Sequence, residues 1–222
     1  MTKSTRQRLV IFIIAAFIID YIPLLNLPFL WSQTFFHEIS HGLSALLTGG
    51  RIHTINLHFN GSGLCTTSGG IHFIVAFAGY AGSALWGMLI YRFAGALSPS
   101  NTKIMAAIMV TMLIITVILW ARDLSTLIIL ALLLLMYSLP LYQSLWLSIR
   151  SFIQLVGIYV LLESIRSPLY LLDGLDLGDG ATLAKLSWVP EIVWVGLWFA
   201  IALGCLLSLW RSSKKQRKTK YS

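Results

Sequence analysis

Apolar and polar positions divide this chain into long uninterrupted runs and a few short breaks. The runs cover residues 9–30, 71–95, 103–121, 124–141, 143–165 and 189–210. Each is near the roughly 20 residues a helix needs to cross hydrocarbon. Residues 31–48 form a shorter apolar segment of about five helical turns, closed by Thr48-Gly49-Gly50 and then Arg51. From 51 to 68 the period changes to two: Ile52, Thr54, Asn56, His58 and Asn60 alternate with His53, Ile55, Leu57 and Phe59. Asn60-Gly61-Ser62-Gly63 is a turn signal, and Leu64-Cys65-Thr66-Thr67 can return as a second strand. Such a hairpin cannot show open edges to lipid, so it is expected at the interface or buried in protein. A second break spans 166–188, from Arg166-Ser167-Pro168 through Leu172-Asp173-Gly174-Leu175-Asp176-Leu177-Gly178-Asp179-Gly180. Ala181 to Leu186 then begin a short helix, and Pro190 opens the last run. Gly79-Tyr80-Ala81-Gly82-Ser83 and Gly87 predict one helix face that packs closely.

Composition fixes the solvent. Hydrophobic residues make up 57% of the 222 and charged residues 11%, with a mean hydropathy of +0.81. A soluble domain carries about 25% charged residues, so this chain cannot cover a globule in water. The pattern predicts an all-α integral membrane protein of about six transmembrane helices, with a short interfacial β-hairpin after the 31–48 helix. The whole chain, 1–222, reads as one membrane-embedded domain. The net charge of +8 gathers at the ends: Lys3, Arg6 and Arg8 before the first run, and Arg211, Lys214, Lys215, Arg217, Lys218 and Lys220 after the last. A basic tail over 211–222 beside a membrane span points to anionic lipid on the cytoplasmic side, not to nucleic acid. Both termini are therefore expected in the cytoplasm of a multi-pass protein of the inner or plasma membrane. That needs an even number of crossings, and counting 31–48 as a full span gives seven; one segment should fail to cross. The first apolar stretch runs on towards Trp31 with no cleavage site, so no cleavable signal is expected.

Candidate chemistry sits in the shortest apolar segment. His37-Glu38-Ile39-Ser40-His41 is an H-E-x-x-H sequence. On a helix, positions i and i+4 share a face, so both imidazoles can aim at one metal ion. Glu38 is then placed to take a proton from the attacking water instead of binding the metal. A catalytic zinc (Zn2+) usually has three protein ligands and one open position. Cys65 and Cys205 are far apart and unpatterned, which excludes a C-x-x-C zinc site. The third ligand should be a carboxylate. Glu163 and Glu191 lie near span ends, where a solvated role is ordinary. Asp20 lies within the first run and is a functional candidate by position. Asp123 follows Arg122 and reads as a local ion pair. The Asp173/Asp176/Asp179 cluster remains, since irregular backbone at membrane depth can line a cavity.

These residues resemble the site-2-protease-like membrane zinc metalloproteases, in their compact bacterial branch. The resemblance runs through His37-Glu38-Ile39-Ser40-His41-Gly42, Ala45-Leu46-Leu47-Thr48-Gly49-Gly50-Arg51, Gly61-Ser62-Gly63 and Ala78-Gly79-Tyr80-Ala81-Gly82-Ser83. It closes with Gly178-Asp179-Gly180-Ala181-Thr182-Leu183-Ala184 and Pro190-Glu191-Ile192-Val193-Trp194, and so covers about residues 31 to 200. It implies a helical membrane core, with zinc held by His37, His41 and a distal aspartate, and Glu38 as general base. Leu172-Asp173-Gly174 matches the family's tripeptide literally, whereas Asp179 matches the compact branch by the residues just after it. Asp179 is the first choice and Asp173 the second. The implied activity is hydrolysis of peptide bonds in or near transmembrane segments of a membrane protein or peptide in the lipid bilayer. The 51–68 hairpin could clamp the unwound substrate by strand addition. Two other readings use the same residues: an inactive scaffold or binder of the same fold, and a metal or proton transporter.

Overall fold

A computed structural model of the chain describes residues 5–95, 99–142 and 146–218. The elements run α1 (Thr5–Asp20), α2 (Pro23–Leu47), β1 (Arg51–Leu57), β2 (Gly63–Ser68), α3 (His72–Gly95) and α4 (Pro99–Leu119). They continue with α5 (Leu124–Tyr142), α6 (Trp146–Arg166), a 3-10 turn (Ser167–Leu171), α7 (Gly178–Ser187) and α8 (Glu191–Lys218). The fold is thus almost wholly helical, with one antiparallel hairpin between α2 and α3, as the sequence pattern predicts.

The apolar run expected as one span over 9–30 is two helices. Pro23 pushes Ile22 into extended backbone (φ −111°, ψ 98°), and α1 meets α2 at 113°. The H-E-x-x-H helix therefore starts at Pro23 and not near residue 31, tolerating Pro28 inside it. A polar cluster ties down this corner. Asn26 Nδ2 donates to Asp20 Oδ1 (3.3 Å), Arg166 Nη1 to Asp20 Oδ2 (2.5 Å), and the Tyr159 hydroxyl to Asn26 Oδ1.

Among the described residues four helices are long and apolar enough to cross a membrane: His72–Gly95, Thr102–Leu119, Arg150–Leu171 and Glu191–Ser212. The bent α1–α2 pair makes a fifth if taken as one broken span, and Leu124–Ser138 is a shorter apolar helix. Contacts sort the helix ends. At one end Arg6 lies 4.7 Å over the Trp210 ring, Arg92 Nη2 donates to Ser208 (2.7 Å) and Ser212 (3.1 Å), and Arg150 Nη2 donates to the Gly95 carbonyl. At the other, the Ile71 amide donates to Thr48 Oγ1 (3.0 Å), joining the end of α2 to the start of α3. Taken together, α1 and α2 run from one end of the bundle to the other once, so the H-E-x-x-H helix is not a separate full span.

α3 is the centre of the bundle. Gly87 and Gly157 let it approach α6 backbone to backbone: a Cβ at Gly87 would stand 2.6 Å from the Leu161 nitrogen. The hairpin pairs Ile55 with Cys65 and Leu57 with Gly63, with an irregularity between Ile52 and Thr54. The outer edge of β1 is not free. The Ile55 amide donates to the Trp120 carbonyl (3.1 Å) and the Leu57 amide to Thr126 Oγ1 (2.7 Å). The turn docks on α2, where Trp31 Nε1 donates to the Phe59 carbonyl (3.2 Å) and Thr34 Oγ1 to the Gly61 carbonyl (2.6 Å). The outer edge of β1 and the turn of the hairpin are therefore held in protein.

Candidate metal centre

The i, i+4 spacing on α2 brings the His37 and His41 Nε2 atoms to 3.0 Å of each other. Asp179 Oδ2 lies 3.2 Å from each. Their donor atoms all lie within 4.8 Å of one another, the one such group of three His, Cys, Asp or Glu among the described residues. His41 Nδ1 is 2.7 Å from the Val75 carbonyl in the first turn of α3. A carbonyl only accepts, so Nδ1 carries a proton there and Nε2 is the ring atom turned inward; a metal bound there would take its Nε2 lone pair. Two ring nitrogens and a carboxylate oxygen this close are compatible with one another only when a proton or a metal ion is shared among them. The donor set, two imidazoles and one carboxylate, is that of zinc sites, so the residues fit such an ion.

Asp179 arrives from far along the chain, on the first turn of α7. Glu191, at the start of α8, holds that turn. Its carboxylate bonds the Ala181 backbone, and a Cβ on Gly180 would stand 2.3 Å from its Oε1. An anion at a helix N-terminus is stabilised by the free amides there. Glu191 is thus a supporting group and not only a solvated span end. Asp173 is elsewhere: it is exposed, and its Oδ1 accepts from the Leu175 amide (2.8 Å) in a local turn. Asp176 is likewise exposed in the same loop.

Glu38 faces the hairpin. It is buried, with 5% of its surface exposed. A Cβ at Gly63 would stand 2.7 Å from its Oε1, and the Cys65 backbone bonds its carboxylate. Burial, with the nearby Glu38 charge adding to it, pushes the Cys65 thiol up to about 12.

Two residues at the centre were missed as such in the sequence. Gly79 sits against both histidines: a Cβ there would lie 2.4 Å from His41 Nε2 and 2.6 Å from His37 Cε1. Gly82, on the same helix, faces Ser40, where a Cβ would meet Oγ at 2.4 Å. The run of small residues was a visible signal, but its packing partner was not. Tyr80 sets its ring edge-on to His37, with centroids 4.4 Å apart, and backs onto Trp198 at 4.8 Å.

The remaining candidates fall outside this cluster. Asp20 pairs with Arg166, which also reaches Glu163 Oε1 at 3.2 Å. The ion pair expected between Arg122 and Asp123 is replaced by something else. Arg122 donates to the Ala121 and Leu119 carbonyls, while Asp123 caps α5, accepting from the Thr126 amide (2.9 Å). Asp123 also accepts from the Ser125 and Thr126 hydroxyls (2.6 Å each) and from Asn56 Nδ2 (2.7 Å). Partial burial opposes ionisation, but these four bonds outweigh it and hold the carboxyl down at about 2. Of the basic termini, Lys3 and Lys220 lie outside the described residues, as do the side chains of Lys214, Lys215, Arg217 and Lys218.

A helical membrane bundle with an H-E-x-x-H helix and a converging acid defines a class, the membrane metalloproteases. The family model described as Peptidase M50B-like matches residues 9–209, nearly the whole chain. The chain belongs to that family, the site-2-protease family of membrane-embedded peptidases. No curated protein and no solved structure matches it.

Proposed function

We propose that this chain is an intramembrane zinc endopeptidase, cutting peptide bonds in or near transmembrane segments of membrane proteins in the bilayer. The observation that supports it most is the meeting of His37, His41 and Asp179, from two distant parts of the chain, beside a buried Glu38. His37, His41 and Asp179 would hold the ion, with Asp173 set aside because it lies in an exposed turn. Zinc bound there would acidify the attacking water and polarise the scissile carbonyl.

The chain's own groups supply the rest. The Val75 carbonyl fixes the His41 tautomer. Glu38 takes the proton of the attacking water on its carboxylate as the water oxygen bonds to the carbonyl carbon. It returns that proton to the amide nitrogen as the carbon–nitrogen bond breaks, leaving a carboxylic acid and an amine. A helical substrate hides its carbonyls, so it must unwind. β1 is already occupied on its outer edge by residues 120 and 126, whereas β2 runs past Glu38. An extended substrate would add to β2. We place the protein in the inner or plasma membrane with both termini cytoplasmic, and take the whole chain as one catalytic unit.

A transporter reading gains nothing from the other buried ionisable groups, because Asp20, Glu163 and Arg166 are paired with one another. An inactive scaffold is separated by experiment. Zinc content and cleavage of a membrane substrate are measured for wild type and Glu38→Gln. The variant should keep zinc and lose about 10²–10⁴-fold in rate. Equal cleavage by the two would remove Glu38 as the base, and no cleavage by wild type would favour the scaffold.

A further inference from the structure

Three helices meet around one buried hydroxyl far from the candidate metal centre. Tyr91 lies on α3, 12 residues past Gly79 and so about 18 Å further along that helix. Its ring packs edge-on against Phe12 of α1, with centroids 6.3 Å apart. Its backbone lies against α6, where a Cβ at Gly157 would stand 2.6 Å from the Tyr91 nitrogen. Only 5% of the residue is exposed, and its hydroxyl has no hydrogen-bond partner among the described residues. A hydroxyl buried this deeply normally has one.

Two arginines are set beside it. Arg8 stands one turn before Phe12 on the same face of α1. Arg150 stands two turns before Gly157 on α6, and its Nη2 donates to the carbonyl of Gly95, one turn beyond Tyr91. The charges of Arg8 and Arg150 both act on the Tyr91 hydroxyl, and they act on each other. Arg8 makes no hydrogen bond or ion pair among the described residues. Acidic side chains are distant. Asp20 on α1 and Glu163 on α6 lie 12 and 13 residues further on, about 18 and 20 Å along their helices, and α3 carries none.

Two guanidinium groups and a hydroxyl around one partly buried place suit an anion, and the planar guanidinium fork matches phosphate oxygens. Depth selects the source of that phosphate. Gly95 and Arg150 are the terminal residues of two apolar helices long enough to cross a membrane, His72–Gly95 and Arg150–Leu171. Lipid headgroups lie at that level, just outside the hydrocarbon. Ile11, one turn on from Arg8, and Ile14 after it are exposed on α1, an apolar wall along which acyl chains can run. A choline headgroup would bring its own cation up to the arginines, whereas an anionic headgroup leaves its phosphate charge to them. We propose that Arg8, Arg150 and Tyr91 bind the phosphate of an anionic phospholipid where α1, α3 and α6 meet. The bound lipid supplies the missing partner of the Tyr91 hydroxyl and ties three helices together. It differs from diffuse attraction by the basic tail because it needs one hydroxyl and two particular arginines.

Lipid titration of the full chain in a non-ionic detergent tests this without needing metal or activity. Native mass spectrometry counts bound lipid, and thermal unfolding is followed in parallel. Wild type should take up phosphatidylglycerol in preference to phosphatidylcholine and unfold at a higher temperature with it; equal uptake of the two overturns the proposal. Arg8→Gln should weaken phosphatidylglycerol binding about 10–100-fold, the worth of one hydrogen-bonded charge. Arg211→Gln, which removes an exposed charge at the end of α8, should leave it unchanged. Equal weakening by both variants would mean diffuse charge attraction and no site. Tyr91→Phe keeps the ring against Phe12 and deletes only the hydroxyl. Without lipid it should unfold no lower than wild type, yet gain less from phosphatidylglycerol. A Tyr91→Phe protein that is destabilised without lipid and gains the full shift with it overturns the role of the hydroxyl. Inorganic phosphate at millimolar concentration should neither stabilise the protein nor displace the lipid. Stabilisation by phosphate alone that disappears in Arg8→Gln would assign the site to a soluble phosphate compound and overturn the lipid.

Discussion

Replacing Gly79 with alanine should perturb the candidate metal centre through a residue that donates nothing to it. The new methyl would stand 2.4 Å from His41 Nε2 and 2.6 Å from Cε1 of both His37 and His41. Unstrained carbon contacts lie near 3.5 Å, so at least one ring must retreat by about 1 Å. His41 cannot do so freely, because its Nδ1 is bonded to the carbonyl of Val75, one turn before Gly79 on α3. Breaking that bond costs about 1 kcal/mol, and overpacking adds about 1–3 kcal/mol. Disturbing a partner that orients a ligand typically lowers metal affinity about 10–100-fold, equivalent to about 1.4–2.8 kcal/mol. The assay is zinc occupancy of detergent-purified protein against a graded chelator, with thermal unfolding in parallel. Gly82→Ala is the control, since its methyl would strike Ser40 Oγ at 2.4 Å and no ligand. It should lower stability and keep zinc. Wild-type zinc affinity in a folded Gly79→Ala protein would refute the reasoning, as would equal zinc loss in both variants.

Three other outcomes rest on the same contacts. Asp179→Asn should lose most bound zinc while Asp173→Asn retains it, measured as metal content; retention in the first and loss in the second would reverse the choice of third ligand. Asp123→Ala should destabilise the protein by about 0.5–2 kcal/mol through loss of the α5 cap. Because the folded carboxyl is depressed to about 2 from an ordinary value near 3.9, the ionised cap stabilises fully above about pH 4. That contribution fades as pH falls towards 2, so the gap in melting temperature should narrow over this window; a gap that widens there would be wrong in sign. Asp20→Asn leaves Arg166 with Glu163 as its remaining carboxylate partner. It should cost about 2 kcal/mol, less than the 3–5 of a fully buried pair, with zinc content unchanged. Zinc loss there would link that corner to the centre.

What could be read in the sequence was local. The H-E-x-x-H spacing needs only one helix, and the alternation over 51–68 with Asn60-Gly61-Ser62-Gly63 needs only two neighbouring strands. The Thr48-Gly49-Gly50 stop likewise closes α2 on nearest-neighbour grounds. The break at Tyr21–Ile22 was hidden because apolarity continues across it, although Pro23 was there to forbid a straight helix. Asp173 and Asp179 are six residues apart in one loop, and only the folded position of α7 separates them. Asp123 was misassigned because its sequence neighbour Arg122 suggested a partner, while its bonds go to residues 125 and 126 and back to Asn56. Gly79 is the sharpest case. A glycine on an apolar helix signals close approach, but sequence does not say whether the approaching group is backbone, as at Gly87, or a pair of imidazoles.

Asp179 enters the chain 138 residues after His41. At about 5–20 residues per second, synthesis needs roughly 7–28 s to cover that gap. During that interval a nascent chain can hold both histidines and Glu38 but no acid from α7. The outer edge of β1 waits as well, until Trp120 and Thr126 arrive to close it. A half-made copy in the membrane therefore has an incomplete donor set and a hairpin still unsupported on its β1 side. In the protease reading proposed above, the order of synthesis acts as the safety catch: the candidate centre is completed only after α1 to α6 have been made.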